Sequence, residues 1–126
     1  MNLFDNGHRK FIYHYSLNDK IIHTTKGDRY SIGGISKKKD KKQKNFTTHE
    51  IKVDKGDIVY LTSDGIIDQV NSVGKRFTSK RLLGTLNKYA ESPLEEQKNV
   101  LSNNIEEFKE NTEQRDDITV IGAKIK

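Results

Sequence analysis

The sequence of 126 residues contains no cysteine, a single proline and few apolar residues. Without cysteine the chain forms no disulfide and offers no thiolate to a metal, so any metal would be held by oxygen or imidazole. That set of donors favours hard divalent cations such as magnesium or manganese. Because 32% of the residues are hydrophobic and 33% are charged, a single domain of this length can bury only a modest core.

Long apolar runs are absent as well. No stretch approaches the roughly 20 apolar residues of a membrane-spanning helix, and "MNLFDNGHRKF" at the N-terminus has charges where a secretory signal needs an apolar centre. These absences predict a cytoplasmic protein or domain in which this segment makes no membrane contact.

The excess of positive charge is concentrated in one segment of the sequence. The formal net charge is +5, and "SKKKDKKQK" at 36–44 has six lysines and one aspartate. This pattern predicts a lysine-rich loop that attracts acidic or phosphorylated partners by charge. A nucleic-acid-binding surface is the alternative. Such surfaces usually combine basic residues with aromatic residues that stack on bases, and no aromatic residue interrupts this run. A solvated loop is therefore favoured, and no nucleic-acid partner is expected.

Strand-like segments dominate the first half of the chain. Five runs rich in β-branched or aromatic residues predict strands: residues 9–17, 20–28, 46–53, 57–63 and 117–125. The first two are predicted to form a hairpin about Asn18 and Asp19, and "DKGD" at 54–57 suits a second hairpin turn.

A helical period follows. Ser79 is suited to cap a helix over about 80–90, and Ser92 with Glu95 forms a capping box for a second helix over about 93–111, with the proline at its first position. The order of strands, two helices and a strand predicts an α+β domain. In this fold class an antiparallel sheet is covered on one face by the two consecutive helices.

Two acidic clusters stand at predicted strand ends. Asp64 and Gly65 directly follow one strand, and Asp116 and Asp117 directly precede the last. A rigid strand fixes a carboxylate while the adjoining loop leaves room for an ion and water, and Gly65 allows a sharp turn. Asp64 and Asp116 could therefore share one divalent ion. The alternative is an ordinary Asp-Gly turn and an ordinary strand start, and the residues alone leave both open.

Other polar residues are weaker candidates. The four histidines lack the spacing of a zinc site and are expected to be ordinary strand or turn residues: His8, His14, His23 and His49. His14 and His23 are expected to lie across the first hairpin. Asp68 could reach an ion through water, although a surface or capping role is favoured. Arg115 could contact a phosphate or pair with a neighbouring aspartate.

Longer stretches strengthen the metal interpretation. "GDIVYLTSDGIIDQVN", "GKRF" and "QRDDITVIGAKI" resemble the C-terminal half of a PPM-type metal-dependent protein phosphatase, in the bacterial branch typified by SpoIIE. Upstream, "DNGHRKFIYHYS" and "KGDRYSIGG" resemble further segments of that family. The resemblance implies that Asp64 and Asp116 are metal ligands, with Gly65 and Asp117 as supporting positions. Asp117 stands where related enzymes often carry asparagine.

The resemblance also implies a fold and an activity. Residues 1–126 would be the C-terminal portion of a PPM-type β-sandwich, acting on phosphoserine or phosphothreonine in bacterial signalling, with an anti-sigma-factor antagonist as one candidate substrate. Two Mn²⁺ or Mg²⁺ ions are expected in the complete domain. This sequence has one Asp-Gly pair and lacks the family's earlier one, so the isolated chain is expected to be nearly inactive.

Two other functions stay open. One is a catalytically inactive phosphatase-like interaction module, and the other is a basic nucleic-acid-binding domain. A half domain would also expose apolar sheet surface, so self-association is expected.

Overall fold

The computed structural model describes residues 11–27 and 47–126. The predicted lysine-rich loop at 36–44 and His8 lie outside these residues. The described elements are four strands and three helices: β1 (Phe11–Ser16), β2 (Ile21–Lys26), β3 (Ile58–Thr62), α1 (Gly65–Asp68), α2 (Thr78–Tyr89), α3 (Leu94–Lys109) and β4 (Val120–Lys124).

The four strands form one antiparallel sheet in the order β2-β1-β3-β4. As predicted, β1 and β2 form a hairpin. Its turn is closed by a 2.7 Å bond from the Lys20 N–H to the Ser16 carbonyl, and Lys20 has a positive φ of 56°. The predicted strand at 57–63 lies in the centre of the sheet as β3, and the predicted last strand is β4.

The predicted strand at 46–53 is wrong, and so is the second hairpin. Residues 47–54 have no regular structure. Both edges of β3 are already paired, one with β1 and the other with β4, so the segment before β3 has no edge of that strand to join. A turn at Lys55 and Gly56 leads into β3 instead.

The two long helices are confirmed, but their predicted caps are wrong. α2 begins at Thr78, before the predicted cap Ser79, and no side chain caps either helix. At the start of α3 the Ser92 carbonyl accepts a 2.9 Å hydrogen bond from Gln97 Nε2. This buried amide bonds to the backbone of the connection between α2 and α3, and no capping box forms.

Both helices pack on one face of the sheet. Alternate residues of β1 and β3 face them, with Tyr13, Tyr15 and Tyr60 almost fully buried. The helices contribute the other half of the same cluster: Leu82, Leu86 and Ala90 around α2, and Leu101, Ile105 and Phe108 on α3. Phe77 meets the Phe108 ring edge-on at 5.2 Å. The α+β fold class is therefore confirmed.

A polar contact joins the two layers within the core. The Tyr60 hydroxyl donates a 2.6 Å hydrogen bond to Gln97 Oε1, and Gln97 Nε2 donates to the carbonyls of Ala90 and Ser92. Burial raises the pKa of Tyr60 to about 12, against the lowering effect of the Gln97 bond. The central strand is thus bonded to α3 and, through it, to the end of α2.

A buried carboxylate just before β3 anchors the turn of the β1–β2 hairpin. Asp57 accepts hydrogen bonds from the Asp54 and Leu17 N–H groups at 2.9 and 3.0 Å, and lies 2.7 Å from His14 Nε2. These bonds, the two backbone bonds foremost, lower the pKa of Asp57 to about 2. His14 pairs with His23 across the hairpin, as predicted, with ring centres 5.9 Å apart.

Among the described residues, no helix is long and apolar enough to cross a membrane.

Candidate metal centre

Ser63 joins the two acidic segments at the end of β3. Its N–H donates to the Thr119 carbonyl at 2.9 Å, and its Oγ accepts from the Thr119 N–H at 2.9 Å. The same Oγ donates to the Asp117 carbonyl at 3.1 Å. Ser63 therefore fixes the segment that carries Asp116 and Asp117 against the segment that carries Asp64. The sequence analysis missed this residue, although it is the first residue of "SDG" and its hydroxyl was a visible signal.

Gly65 sets how closely the two segments approach. A Cβ atom at this position would lie 2.1 Å from the Asp117 carbonyl oxygen and 3.5 Å from the Asp116 carbonyl carbon. Any side chain there would collide with backbone, so only glycine fits. The chain changes direction at Asp64, and Gly65 is the first residue of the helix α1. Its function is to admit the chain of the second acidic cluster.

Asp64 occupies the position just before α1, and its carbonyl accepts the Asp68 N–H at 3.0 Å. The residue is half-buried, and its Oδ2 atom is buried. The four-residue helix was not predicted, because so short an element shows no periodicity. Its bond from the Asp68 N–H ties the Asp64 carbonyl to this helical turn after β3.

Asp116 and Asp117 are exposed. The Asp117 N–H donates to Asp116 Oδ1 at 2.8 Å, which orients the Asp116 carboxylate. Gln114 Nε2 donates to the Asp116 carbonyl at 3.0 Å. Since Gly65 closely approaches the Asp117 backbone, the segment that carries Asp116 lies beside the end of β3 that leads to Asp64. That Asp64 and Asp116 share an ion stays a prediction.

These residues fit part of a metal site. Carboxylate oxygens on fixed backbone are suitable donors for Mg²⁺ or Mn²⁺, which take about six oxygen ligands including waters. No group of three or more histidine, aspartate or glutamate residues able to hold a metal is present within residues 11–27 and 47–126. The described part of the chain therefore supplies two candidate ligands, and further ligands must come from water or from elsewhere.

Asp68 and Arg115, the two weaker candidates for the site, have different surroundings. Asp68 lies 3.7 Å from the Arg76 guanidinium, and both side chains are well exposed, which fits the favoured surface role. Arg115 is exposed and, within the described residues, forms no ion pair with Asp116 or Asp117. Its guanidinium is accessible beside the acidic pair, where a phosphate oxygen could accept from it.

Comparison with known proteins agrees with this arrangement. The family model for stage II sporulation protein E (SpoIIE) matches residues 6–126, which is nearly the whole sequence. The chain therefore belongs to the SpoIIE family.

A solved structure relates the fold of this chain to PP2C domains. The fold is similar to the SiaA-PP2C domain of Pseudomonas aeruginosa, with a TM-score of 0.77 and 27% sequence identity. The similarity covers 93% of this chain and 44% of that chain. The predicted relationship to SpoIIE-like PPM phosphatases is thus confirmed, and the chain spans less than half of the solved chain that it matches. A search of curated proteins finds no significant match.

Proposed function

We propose that this chain is part of a metal-dependent serine/threonine protein phosphatase of bacterial signalling, to which it contributes Asp64 and Asp116 as metal ligands. The observation that carries the proposal is the close contact of Gly65 with the Asp116–Asp117 backbone, which brings two distant acidic motifs to one edge. Family membership supports the reaction class. The substrate would be a phosphoserine or phosphothreonine protein, with an anti-sigma-factor antagonist as one candidate, and the site of action cytoplasmic.

The chain's own residues would hold and orient the reacting groups. Two Mn²⁺ or Mg²⁺ ions bound in the full domain would acidify a water and neutralise charge on the phosphoryl oxygens. Asp64, at the end of β3, and Asp116, held by the Asp117 N–H, would ligate these ions. Gly65 and Asp117 keep the two ligand-bearing segments in contact. Arg115 would donate to a phosphate oxygen.

The isolated chain is expected to bind one ion weakly and to turn over phosphopeptide slowly. The sequence has a single Asp-Gly pair, at 64–65, whereas the family resemblance implies an earlier one whose aspartate would be a further metal ligand. A longer protein containing that motif would supply the missing ligand.

Metal binding provides the direct test. Titration of the chain with Mn²⁺, followed by electron paramagnetic resonance of the free ion, should give a dissociation constant that rises at least about tenfold in Asp64→Asn and in Asp116→Asn. Asp68→Asn is the matched control, since it removes a nearby carboxylate that pairs with Arg76, and should bind as the parent does. Equal affinity in all four proteins would refute the ligand assignment.

An inactive phosphatase-like module is the second candidate, favoured by the lack of a third ligand group among the described residues. Phosphopeptide turnover by the longest natural form of the protein distinguishes the two. Mn²⁺-dependent turnover that is lost in Asp64→Asn supports the enzyme, and absence of turnover in a form that contains an upstream Asp-Gly supports the module.

A further inference from the structure

The surface of α2 and the turn before it carries charge of one sign. Residues 71–90 contain no aspartate or glutamate and five exposed cationic residues, which we call the basic face: Lys75, Arg76, Lys80, Arg81 and Lys88. The neighbouring helix α3 differs, since its exposed residues include Glu95, Glu96, Glu106 and Glu107. The two helices therefore present opposite charge, and an anionic partner is drawn to one of them.

The basic face is built on a rigid support. Phe77, Leu82 and Leu86 are almost fully buried beneath it, so the helix backbone is fixed. The Arg81 guanidinium lies over the Phe108 ring, 4.8 Å from its centre, and Lys88 Nζ lies 5.3 Å from the Tyr89 ring centre. Charges held in this way lose less conformational entropy on binding than free lysine side chains do.

The basic face follows the candidate metal centre closely along the chain. Asp64 leads into α1, and the chain then forms a small hairpin in which Val70 pairs with Arg76 and the Phe77 N–H donates to the Gln69 carbonyl at 2.8 Å. Arg76 reaches back to Asp68 at 3.7 Å. Lys75 and Arg76 are thus tied to the helix that immediately follows Asp64.

A groove runs between the basic face and α3. Its volume is about 650 Å³, and its lining includes Arg81, Lys88, Thr85 and Asn104. Asn104 Nδ2 donates to Thr85 Oγ1 at 3.2 Å across it. Glu107 and Glu110 lie on the α3 wall, so an acidic segment in this groove would contact the α2 wall.

We propose that the basic face docks an acidic segment of the phosphorylated protein whose phosphoryl group is presented to the Asp64 edge. This inference rests on the proposed phosphatase function for the nature of the partner. Charge complementarity, the ring contacts that hold Arg81 and Lys88, and the ion pair of Arg76 with α1 carry it. Lys75, Lys80 and Lys88 are its specificity determinants, because each is exposed and none forms an ion pair with a described residue.

The test measures binding without catalysis. A fluorescein-labelled 12-residue peptide with one phosphoserine and four flanking aspartates is titrated with the 126-residue chain in EDTA at low salt, and its anisotropy is followed. Lys75→Glu/Lys80→Glu/Lys88→Glu should weaken binding about tenfold, at roughly 0.5 kcal/mol per exposed charge pair. The matched control Lys52→Glu/Lys55→Glu/Lys98→Glu makes the same charge change at exposed sites elsewhere and should weaken binding less than about threefold.

Several results would overturn the inference: equal loss in both triple variants, equal binding of a peptide with asparagine in place of the aspartates, or tighter binding of duplex DNA or of phosphatidylserine vesicles than of the acidic peptide. Circular dichroism establishes that each variant is folded. Because EDTA removes divalent ions, this assay is independent of Asp64 and Asp116. Equal Mn²⁺ affinity in all four proteins of the titration, with intact peptide binding, would remove the ligand assignment of Asp64 and Asp116 and leave the docking surface. The reverse pair of results would remove the docking surface and leave the ligand assignment.

Discussion

At the residue scale, Gly65 is the position on which the candidate metal centre depends most directly. The atom that a side chain would meet is a backbone carbonyl oxygen, 2.1 Å from the ideal Cβ, which cannot move aside without displacing the start of β4. Gly65→Ala is expected to destabilise the fold by about 1–3 kcal/mol, as overpacking does, and to weaken Mn²⁺ binding. Urea unfolding gives the first quantity.

Gly84→Ala is the matched control for that substitution. Gly84 lies inside α2, and a Cβ atom there meets nothing within 4 Å. Alanine at this position should stabilise the chain by about 0.5–1 kcal/mol, because glycine is unfavourable in a helix interior. Equal unfolding midpoints for Gly65→Ala and the parent would show that the contact is less tight than described.

Asp57 is expected to make stability depend on acidity. Its pKa falls from 3.8 to about 2 on folding, so its carboxylate form is favoured in the folded state. The resulting stabilisation is fully present above about pH 4 and is lost as the pH falls toward 2. The difference in unfolding free energy between the parent and Asp57→Asn should therefore shrink between pH 5 and pH 2. Glu96→Gln, at an exposed site on α3, should show no such trend.

At the element scale, the bond between Tyr60 and Gln97 connects β3 to α3. Gln97→Met leaves the Tyr60 hydroxyl and two carbonyls without their buried partner, and should cost about 1–3 kcal/mol of unfolding free energy. Tyr60→Phe should cost less, and the two effects should not add, because the residues share one network. Thermal or urea unfolding of the two single variants and the double variant measures the coupling. Tyr89→Phe is the control, and additive losses would contradict the network.

The elements themselves were largely predictable from the sequence, but their ends and partners were less so. Both long helices and four of the five predicted strands follow from apolar periodicity, which depends on local sequence. The strand at 46–53 was wrong because pairing depends on which edges of β3 are free. The predicted capping box did not form because the Ser92 N–H, from which Glu95 was to accept, donates to the Tyr89 carbonyl instead. Ser79 is not a cap because α2 already begins at Thr78.

The candidate metal centre was likewise predictable only in part. Asp64 and Asp116 were assigned because the motifs around them resemble those of SpoIIE-like phosphatases, whereas their spacing alone left two interpretations open. The Ser63 bonds and the Gly65 contact cross more than 50 residues of chain, and local patterns contain no information at that range.

At the scale of the whole molecule, the sheet face opposite the helices carries exposed apolar side chains. Ile12 is paired with Leu61, and Leu61 with Ile121, across three neighbouring strands. Leu61 and Ile121 are 46% and 55% exposed. Such a stripe of apolar side chains favours burial against another surface, which supports the expectation of self-association.

Leu61→Thr/Ile121→Thr should therefore weaken self-association of the isolated chain about tenfold, because two half-exposed side chains together contribute about 1–2 kcal/mol when buried. Sedimentation velocity over a range of concentrations measures this. Val73→Thr removes an apolar side chain that is 73% exposed outside the sheet and serves as the control. A parent chain that stays monomeric at high concentration would contradict the prediction.

The close contact of Ser63 and Gly65 with the Asp117 carbonyl has a consequence for how such a protein would evolve. Asp64 and Asp116 can each become asparagine with little change in shape, so a lineage released from catalysis can lose both acids while keeping its fold. Gly65 has no such freedom, since even a methyl group collides with backbone. We therefore expect inactive descendants to retain the glycine beside altered acids, and the Asp64→Asn/Asp116→Asn chain to melt near the temperature of its parent.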